Sequence, residues 1–514
     1  MARLHEYQGK ALLAGAGLVV PRGAAAGSAE EAAEIASRLL AEGAPAVVVK
    51  IQAWTTGRAA IGGVAFAQTA AEAAEHARRM LGMTIVQFPV EKVLVEERLD
   101  IAPDGEFFVS LMVDDRLRAP ALLVSLTGGS GIEERGQGVH KLACDVVRGP
   151  DEGELRRIFA GVKPEWAEGL VGAVRTIFET ARRHEARSLE VNPLVVTRDG
   201  RVVAADCRIT IDDYAVFRHP DLGIDIAREL DHPPTALERI AYAVEQADHR
   251  GTFYFAQLAT RAAEGSKGLI GFHGAGGGGS MMSMDAITNE GFTIANFTDT
   301  SGNPSSAKVY RAARIILSQP GLVGYFGSGS GVASQEQFWS AYGLAKAFWE
   351  LELSIPAVIR LGGNSEDRAV EILEDACREL PAKVEGYRKT DPPAKIAARF
   401  AELVRESGGR AWEPRKPRRP AFVGTAGAVS FPIRGGRVWV DAANWAKVGP
   451  IVVSRSSNLI KDVDGKPAPA LPLEEIAGKD SELIACEVEC RRAGVEGVFV
   501  ELEIPGLDPV QSGQ

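Results

Sequence analysis

Apolar residues recur at helical spacing in two stretches near the start of the chain. The stretches follow Ser28 and Thr69, and a glutamate stands three positions after each hydroxyl residue, at Glu31 and Glu72. This spacing is typical of a capping box, in which hydroxyl and carboxylate oxygens accept the free backbone N–H groups of a helix start. The pattern therefore predicts two helices that begin at these positions.

A short β-branched run between the two helices predicts a buried strand. The run is Ala44-Pro-Ala-Val-Val-Val-Lys50, and it places Lys50 at the edge of the strand. The elements predicted for the rest of this region are strands at 92–96, 106–113 and 120–125, a helical region at Leu155–Arg183, and a hairpin at Leu189–Asp206 that turns at Asp199-Gly200.

Beyond residue 225 the pattern changes to short apolar runs that alternate with helical segments. Such alternation is typical of a parallel, doubly wound sheet, whose ligands bind at the carboxyl ends of the strands. The predicted strands are Gly268–Gly271, Thr293–Phe297, Gly321–Phe326 and Ala357–Leu361.

The distribution of prolines, glycines and basic residues predicts domain boundaries. Residues 406–420 combine Gly408-Gly409 with three prolines and a basic run, which is the composition of a solvated linker. We therefore expect one domain at 1–230, a second at 245–405, and a small β-rich C-terminal domain at 421–514. The sequence does not indicate what the last domain does.

Composition excludes several classes of protein. A length of 514 residues exceeds what one core usually organises, so several domains are expected. A net charge of −10 argues against nucleic-acid binding, and no apolar run is long enough to predict a membrane span. Five scattered cysteines are typical of a reducing compartment, so we expect a cytoplasmic protein without a disulfide or zinc framework.

Charged and amide residues follow the strands of the first region in a way that suits a nucleotide. Lys50 precedes a glycine-containing loop, Thr55–Gly63, whose backbone N–H groups could lie along phosphates. Glu96 and Glu106 stand on two successive strands, where carboxylates could hold a ribose or a base.

The hairpin arms add two oxygen ligands. Asn192 and Asp206 would meet across the arms, and hard oxygen atoms suit a Mg²⁺ ion that bridges phosphates. Each of these features alone is a weak signal.

Taken together, the motifs resemble the ATP-grasp domain and the following flavodoxin-like domain of succinyl-CoA synthetase β subunits. The resemblance covers about residues 1–405. It rests on Leu4–Lys10, Val49-Lys50, Leu94–Glu96, Gly128-Gly129, Ile132–Glu134, Glu190–Val196, Asp206, Phe217-Arg218, Gly274–Gly276, Ala295–Phe297, Ala313–Leu317 and Arg360–Asn364.

The resemblance implies a site and a reaction. The residues that it places at an ATP and Mg²⁺ site are Lys50, Gly57 and Arg58 for the phosphates, Glu96 and Glu106 for the nucleoside, Asn192 and Asp206 for the metal, and Glu190 facing a phosphorylated histidine. In this family the histidine belongs to an α-type, CoA-binding subunit, so the resemblance implies such a partner.

A second site is predicted near Thr300–Ser305. Asn303 as N-cap and Pro304 as the first helical residue would leave free N–H groups facing an anion. This segment resembles the family's β-subunit helix that clamps the phosphohistidine, and it gives Asn303 and Ser305 a catalytic role. A simple capped helix is the alternative.

Two loops depart from the family. The phosphate loop carries Ala59 and Ala60 where relatives have glycine and lysine. The second departure is in the segments expected to hold the acid. Those segments contain His273, Gly274, Gly327, Ser328 and Gly329, and the glycine run at 276–279 predicts that one of them is a longer loop.

The differences in these segments affect the prediction of the substrate. His273 either contacts a substrate oxygen or fills its loop, and both interpretations remain open. Since these segments differ from those of succinate-specific relatives, we expect an acid other than succinate.

The predicted function is that of a β-type subunit of an ADP-forming carboxylate–CoA ligase. CoA and a small carboxylate are the expected substrates besides ATP. Two alternatives remain: an enzyme that handles an acyl or carbamoyl phosphate without CoA, and a non-catalytic regulatory subunit whose altered loop no longer binds nucleotide.

Overall fold

The chain divides into two compact units, residues 1–234 and residues 235–514. The computed structural model describes residues 2–55, 57–129, 138–224, 232–247, 252–329, 333–418, 428–433, 436–441, 480–492 and 498–507. Within those ranges, every helix is too short or too polar to cross a bilayer.

In its described part the first unit contains five α-helices and three antiparallel sheets: a larger sheet of seven strands, a smaller sheet of four strands and a two-stranded sheet. The strands are β1 (Ala2–Arg3), β2 (Gly23–Ala26), β3 (Val47–Ile51), β4 (Val64–Ala67), β5 (Thr84–Ile85), β6 (Phe88–Pro89), β7 (Val93–Glu97), β8 (Ile101–Asp114), β9 (Ala119–Ser125), β10 (Val139–Ala143), β11 (Ala186–Thr197), β12 (Val202–Ala204) and β13 (Arg208–Ile211). The helices are α1 (Glu6–Gly15), α2 (Ala29–Ala41), α3 (Ala70–Leu81), α4 (Glu152–Ile158) and α5 (Pro164–Arg183).

The smaller sheet places Lys50 on the face away from its helices. Its strands lie in the order β2-β7-β3-β4. Val47, Val49 and Ile51 pack with α2 and α3 in one apolar core. Because successive side chains of a strand point to opposite faces, Lys50 projects from the other face.

The two predicted helix starts are confirmed. Ser28 Oγ accepts the N–H of Glu31 at 3.1 Å, and Thr69 Oγ1 accepts the N–H of Glu72 at 3.2 Å. The predicted strand that carries Lys50 is also confirmed, as β3.

The larger sheet carries the predicted hairpin. Its strands lie in the order β1-β13-β11-β8-β9-β10, with β12 paired to β11. Strands β11 and β12 are antiparallel and the turn between them includes Gly200, whose φ of 85° favours glycine, so the predicted hairpin is confirmed. Helices α1 and α5 pack against the apolar residues of one face, including Leu189 and Val191. Glu190 therefore projects from the opposite face.

The second unit is an α/β sheet that is largely parallel. The strands are β14 (Tyr254–Gln257), β15 (Leu269–Ala275), β16 (Thr293–Ile294), β17 (Asn296–Asp299), β18 (Leu322–Gly329), β19 (Ala333–Glu336), β20 (Ala357–Arg360), β21 (Gly363–Asn364), β22 (Val384–Tyr387), β23 (Ala428–Ile433), β24 (Gly436–Asp441) and β25 (Val498–Leu502). The helices are α6 (Ala236–Ala247), α7 (Gly277–Asn289), α8 (Ser306–Ile316), α9 (Phe338–Glu350), α10 (Glu366–Ala376), α11 (Pro393–Glu406) and α12 (Asp480–Arg492).

The order of the main sheet is β14-β17-β15-β18-β20-β22, and only β14 runs antiparallel to its neighbour. Numbered along the chain, the five parallel strands lie in the order 2-1-3-4-5, which is one of the two common doubly wound orders. Apolar clusters cover both faces, with α7 and α11 on one face and α8, α9 and α10 on the other.

Two segments predicted as loops are regular structure. Gly327, Ser328 and Gly329 are the last residues of β18, and they pair with His273–Ala275 of β15. The glycines are required by close packing rather than by a turn, because a Cβ on Gly327 would lie 2.7 Å from Ile359 Cδ1. The glycine run at 276–279, predicted to lengthen a loop, provides the N-cap and the first turn of α7 instead.

The predicted cap of α8 is wrong by two residues. The helix begins at Ser306, and Ser305 is its N-cap, with Oγ accepting the N–H of Lys308 at 3.1 Å. Asn303 is exposed and Pro304 precedes the cap. Both Asn and Ser are favoured at this position, so the local sequence did not distinguish them.

The described part of the C-terminal region contributes to the core of the second unit. Strands β23, β24 and β25 form an antiparallel sheet, and Ile484 and Val488 of α12 are buried with residues of α8 and α9. The segment predicted as a solvated linker is anchored at Trp412, which is fully buried and donates its indole N–H to Leu317 O at 2.7 Å.

Helices α8 and α9 cross at Gly343, and this contact gives a test of the packing. A Cβ on Gly343 would lie 2.4 Å from Ser306 O and 2.9 Å from Val309 Cβ. We expect Gly343→Ala to lower the free energy of unfolding by about 1–3 kcal/mol, since the two helices must separate. The control is Gly172→Ala in α5, where a Cβ meets nothing within 4 Å and alanine should be neutral or stabilising. Urea unfolding measures the free energy of unfolding of both variants. If Gly343→Ala is as stable as Gly172→Ala, the close crossing of α8 and α9 is contradicted.

Candidate active site

A buried carboxylate on the first helix gathers three cations. Glu6 Oε1 lies 2.8 Å from Lys10 Nζ and 2.8 Å from Lys50 Nζ, and Glu6 Oε2 lies 2.7 Å from Arg58 Nη1. The Glu6 side chain is 2% exposed. A carboxylate buried to this extent requires paired charges, and here three different elements supply them.

Two further carboxylates complete this group, which we call the ion cluster: Glu6, Lys10, Lys50, Arg58, Glu96 and Asp206. Glu96 accepts from Lys10 at 2.6 Å and from Lys50 at 2.9 Å. Asp206 Oδ2 lies 2.5 Å from Arg58 Nη2. Three cations thus face three carboxylates, so the cluster is formally neutral.

The structure therefore brings together four residues that the sequence assigned separately. Lys50, Arg58, Glu96 and Asp206 belong to one network, although they come from β3, the following loop, β7 and the end of the hairpin. Sequence reasoning missed Glu6 and Lys10 as members. Their i, i+4 spacing in the opening motif was a signal, because it places both charges on one side of α1.

The pKa values of the cluster follow from its charges. Burial alone would raise the pKa of Glu6, but Lys10, Lys50 and Arg58 hold it well below its usual range. Burial and the neighbouring Glu6 raise the pKa of Asp206, although Arg58 and Lys50 act in the opposite direction. Burial opposes the charge of Lys50, but Glu6 and Glu96 together raise its pKa.

The loop between β3 and β4 carries Arg58 back into the cluster. Gly57 and Gly62 have φ values of 61° and 75°, a region that favours glycine. Gly63 has no room for a side chain, because a Cβ would lie 2.6 Å from Ile51 Cδ1. Ala59 and Ala60, which differ from the family pattern, are exposed. The substitution therefore changes the solvent side of the loop and leaves Arg58 in contact with Glu6 and Asp206.

Glu106 and Asn192 lie beside the glycine pair that follows β9. The N–H of Gly129 donates to Asn192 Oδ1 at 2.9 Å, and a Cβ on Gly129 would lie 3.5 Å from Glu106 Oε2. The backbone N–H of Ala205 donates to Pro193 O at 3.1 Å. Asn192 and Asp206 therefore occupy neighbouring positions on the two arms, as the hairpin predicted.

Glu190 lies on β11 of the larger sheet and is not a member of the ion cluster. It pairs with Ser110 of β8 on one side and with Arg208 of β13 on the other. Among the described residues, no group of three or more His, Cys, Asp or Glu side chains forms a metal site.

The second unit brings its predicted residues together at the carboxyl ends of β15 and β18. His273 pairs with Gly327, and Gly274 pairs with Ser328. Ser328 is buried and its Oγ lies 2.7 Å from Ser283 Oγ. A Cβ on Gly274 would lie 2.4 Å from Ser280 Oγ, so glycine lets α7 approach the strand.

His273 is a buried strand residue whose ring is already engaged. Its Nδ1 lies 2.5 Å from Tyr325 Oη, and its Nε2 lies 3.2 Å from Thr300 Oγ1. Burial lowers the pKa of His273 to about 3, so the ring is neutral near pH 7. The histidine therefore supports Thr300, just before the segment that contains Asn303 and Ser305.

Comparison with known proteins agrees with these two units. Residues 3–196 match the ATP-grasp domain family. The GDP-forming succinate–CoA ligase β subunit of Thermus thermophilus is 36% identical over 380 residues, covering 72% of this chain and 93% of the relative. The chain belongs to the succinate–CoA ligase β-subunit family.

Other members of the family and one structure extend the comparison. The ADP-forming β subunit of Rubrobacter xylanophilus is 32% identical, covering 79% of this chain and 99% of the relative. The structure of ATP citrate lyase from Methanothrix soehngenii, in complex with citrate and coenzyme A, superposes with a TM-score of 0.60 at 16% identity. It covers 78% of this chain and 99% of that one, and it supports the fold.

Neutralising Glu6 tests the ion cluster. We expect Glu6→Gln to lower the free energy of unfolding by about 3 kcal/mol, because it leaves buried cations without a counter-charge. The control Glu42→Gln breaks an exposed pair with Arg22 and should cost at most about 1 kcal/mol. Urea unfolding at neutral pH measures the free energy of unfolding of both variants. An equal loss of stability in the two would contradict a stabilising role of Glu6 in the ion cluster.

The same variant should change the response to acid. The depressed pKa of Glu6 gives a contribution that is fully present above its ordinary value of 4.5 and lost as pH falls below it. Wild-type stability should therefore fall more steeply than that of Glu6→Gln below pH 4.5. If the stability of wild type and of Glu6→Gln falls in parallel below this pH, the low pKa of Glu6 is contradicted.

Proposed function

We propose that this chain is the nucleotide-binding β-type subunit of an ADP-forming carboxylate–CoA ligase. The observation that carries the proposal is the convergence of Lys50, Arg58 and Asp206 in one buried cluster, in a chain of this family. Phosphoryl transfer depends mainly on positioning and charge neutralisation, which fixed cations supply. In the proposed sequence a histidine takes the phosphoryl group from ATP and passes it to a carboxylate, and the CoA thiolate then displaces phosphate from the acyl phosphate.

The nucleotide would occupy the open side of the ion cluster. Lys50, Gly57 and Arg58 are proposed to hold its phosphates, and Glu96 and Glu106 to contact the nucleoside. Lys50 and Arg58 are paired with carboxylates in this structure, so binding requires that phosphate oxygens take over part of those contacts. The relatives include ADP-forming and GDP-forming proteins, and the choice of base is measured directly by titrating both nucleotides.

Asn192 and Asp206 are proposed to hold Mg²⁺. Asp206 Oδ1 is buried and has no hydrogen-bond partner among the described residues. An unpaired carboxylate oxygen of this kind suits a hard cation. Asn192 Oδ1 accepts one N–H, from Gly129, and keeps a second lone pair. When bound, the ion would neutralise charge on the phosphate oxygens.

An α-type subunit that carries the phosphorylated histidine and binds CoA is the proposed partner. Glu190 is proposed to face this histidine in the first unit, where it projects away from the core. In the second unit Asn303 is exposed and is the candidate for contact with the phosphorylated side chain. Ser305 is proposed to act by holding the start of α8, since its Oγ is engaged with Lys308.

The carboxylate is proposed to bind at the carboxyl ends of β15 and β18, where the strand order of the sheet reverses. The backbone of Gly274 and of Gly327–Gly329 would line this position. His273 would influence the acid through Thr300, because its ring is already bonded to Tyr325 and Thr300.

The alternative of a non-catalytic subunit is less well supported. Ala59 and Ala60 are exposed, while Lys50, Arg58 and Asp206 remain in contact through the cluster. An enzyme that makes an acyl or carbamoyl phosphate without CoA would use the same nucleotide site. The dependence of product formation on CoA separates that alternative from the proposed ligase.

Removal of Lys50 tests the nucleotide site. We expect Lys50→Ala to weaken binding of MgATP at least tenfold, because one fixed charge is worth several kcal/mol against phosphates. The control Lys141→Ala removes an exposed lysine that pairs with Asp114 and should bind MgATP as the wild type does. Calorimetric titration gives both affinities; unchanged binding by Lys50→Ala, with the fold retained, would contradict the site.

The acid specificity is tested with the assembled complex. We expect succinate to be a poor substrate in a panel of small mono- and dicarboxylates, and His273→Asn to change KM for the preferred acid more than KM for ATP. The control is His140→Asn at an exposed position in β10. If succinate is the best acid in the panel, the differences near His273 and Gly327 do not set specificity.

A further inference from the structure

A cavity in the first unit is lined by three arginines and a tryptophan. Arg3, Arg58 and Arg208 contribute to its wall, together with Trp54. Glu6 also lines the cavity, and Glu6 and Arg58 belong to the ion cluster, whereas Arg3 and Arg208 do not. The cavity therefore adjoins the cluster without containing Lys50.

The register of the larger sheet places two of these arginines side by side. Arg3 of β1 pairs with Thr210 of β13, and Arg208 lies two residues from Thr210 on the same strand. Residues two apart on a strand share a face, so Arg3 and Arg208 are diagonal neighbours on one face. Glu190 pairs with Arg208 and shares that face.

Positive charge at this position is not balanced by ion pairs. The three cations of the ion cluster have three carboxylates, but no described carboxylate forms a salt bridge with Arg3 or Arg208. Burial and the nearby Arg208 and Arg58 lower the pKa of Arg3 to about 10, and Glu190 offsets this only in part. Glu6 also lines the cavity, but its charge is matched by the three cations of the ion cluster. Arg3 and Arg208 therefore give the wall an excess of positive charge, which an anion would relieve.

Trp54 gives an independent indication of a ligand. The residue is 7% exposed, and its Nε1 is buried without a hydrogen-bond partner among the described residues. The Arg3 guanidinium lies 5.7 Å from the centre of its ring, which fixes the two side chains together. A buried N–H donor without an acceptor is costly, so this donor is expected to meet an acceptor supplied from outside the chain.

We propose that this cavity binds a tetrahedral phosphoryl oxyanion through Arg3, Arg208 and the indole N–H of Trp54, at a subsite separate from the nucleotide phosphates. Two guanidinium groups match the charge and geometry of a phosphate dianion better than those of a monocarboxylate. The subsite does not depend on nucleotide binding, so it stands or falls separately from the proposed function. The anion is either free orthophosphate or a phosphoryl group carried on another molecule.

The experiment is calorimetric titration of the full-length chain with inorganic phosphate. Trp54→Phe keeps the ring under Arg3 and removes only the N–H donor, and Arg3→Gln removes one charge. We expect each variant to weaken phosphate binding about tenfold or more, which is the lower end of the range for a hydrogen bond to a charged group. Arg208→Gln serves as a further variant if either of the others unfolds.

Matched controls separate the subsite from general effects. Trp166→Phe changes another buried tryptophan of the same unit, and Arg175→Gln changes an exposed arginine that pairs with Glu152. Both should bind phosphate as the wild type does. Lys50→Ala should also retain phosphate binding while it loses MgATP, and phosphate should still bind in the presence of saturating MgADP.

Further titrations identify the ligand. Tighter binding of phenyl phosphate than of orthophosphate would assign the subsite to a phosphoryl group carried on another molecule, and the reverse to free phosphate. The proposal is overturned if acetate at equal ionic strength binds as tightly as phosphate, or if wild type shows no phosphate binding. It is also overturned if Trp54→Phe and Arg3→Gln bind phosphate unchanged, or if MgADP or Lys50→Ala abolishes binding.

Discussion

The first unit depends on one buried negative charge. Glu6 contacts Lys10, Lys50 and Arg58 at 2.7–2.8 Å. An unpaired carboxylate in this position would be prohibitively costly, so the three cations must be held where Glu6 needs them. The need to pair Glu6 also fixes Lys50 and Arg58, the cations that are proposed to bind the nucleotide phosphates. The position of the opening helix therefore determines the geometry of the candidate site as much as the phosphate loop does.

The second unit uses a similar device for packing. Lys346 is fully buried in α9, and its Nζ lies 2.5 Å from Glu350 and 2.6 Å from Glu487 of α12. Tyr310 adds a hydrogen bond of 2.6 Å to Glu350. Since Glu487 lies beyond the region in which motifs resemble the family, the later part of the chain supplies a charge that α9 requires. Buried ion pairs of this kind favour one arrangement of helices over others of similar apolar content.

Local rules predicted the elements well where a single interaction decides the structure. Ser28 and Thr69 cap their helices because each side chain reaches one backbone N–H nearby. The rules failed where distant partners decide. Gly327 looked like a loop residue, but its glycine is explained by Ile359 of the neighbouring strand, and no sequence pattern places those two residues in contact.

Prediction of the candidate site likewise succeeded for local features and failed where distant partners decide. Lys50, Glu96 and Asp206 were identified one at a time because each stands at or near the end of a recognisable element, and Arg58 was identified through the family resemblance alone. The i, i+4 spacing indicated only that Glu6 pairs with Lys10. It did not show that Glu6 joins the other residues, because Lys50 and Arg58 are 44 and 52 residues away. His273 was ambiguous for the same reason: its partners, Thr300 and Tyr325, are 27 and 52 residues distant.

The wide spacing of the ion cluster along the chain has a consequence for synthesis. The Nζ of Lys10 donates to the carbonyl of Ala205, a contact that spans 195 residues, and Arg58 reaches Asp206 across 148 residues. During translation Glu6 and its cations leave the ribosome long before the end of the hairpin does. The smaller sheet can form early from local contacts, but the polar centre of the unit closes only when the last strands arrive. A nascent chain halted between residues 100 and 200 would lack Asp206, so Arg58 would miss one of its two carboxylates. It would also lack β13, which leaves β1 without its partner strand and makes the halted chain a substrate for chaperones.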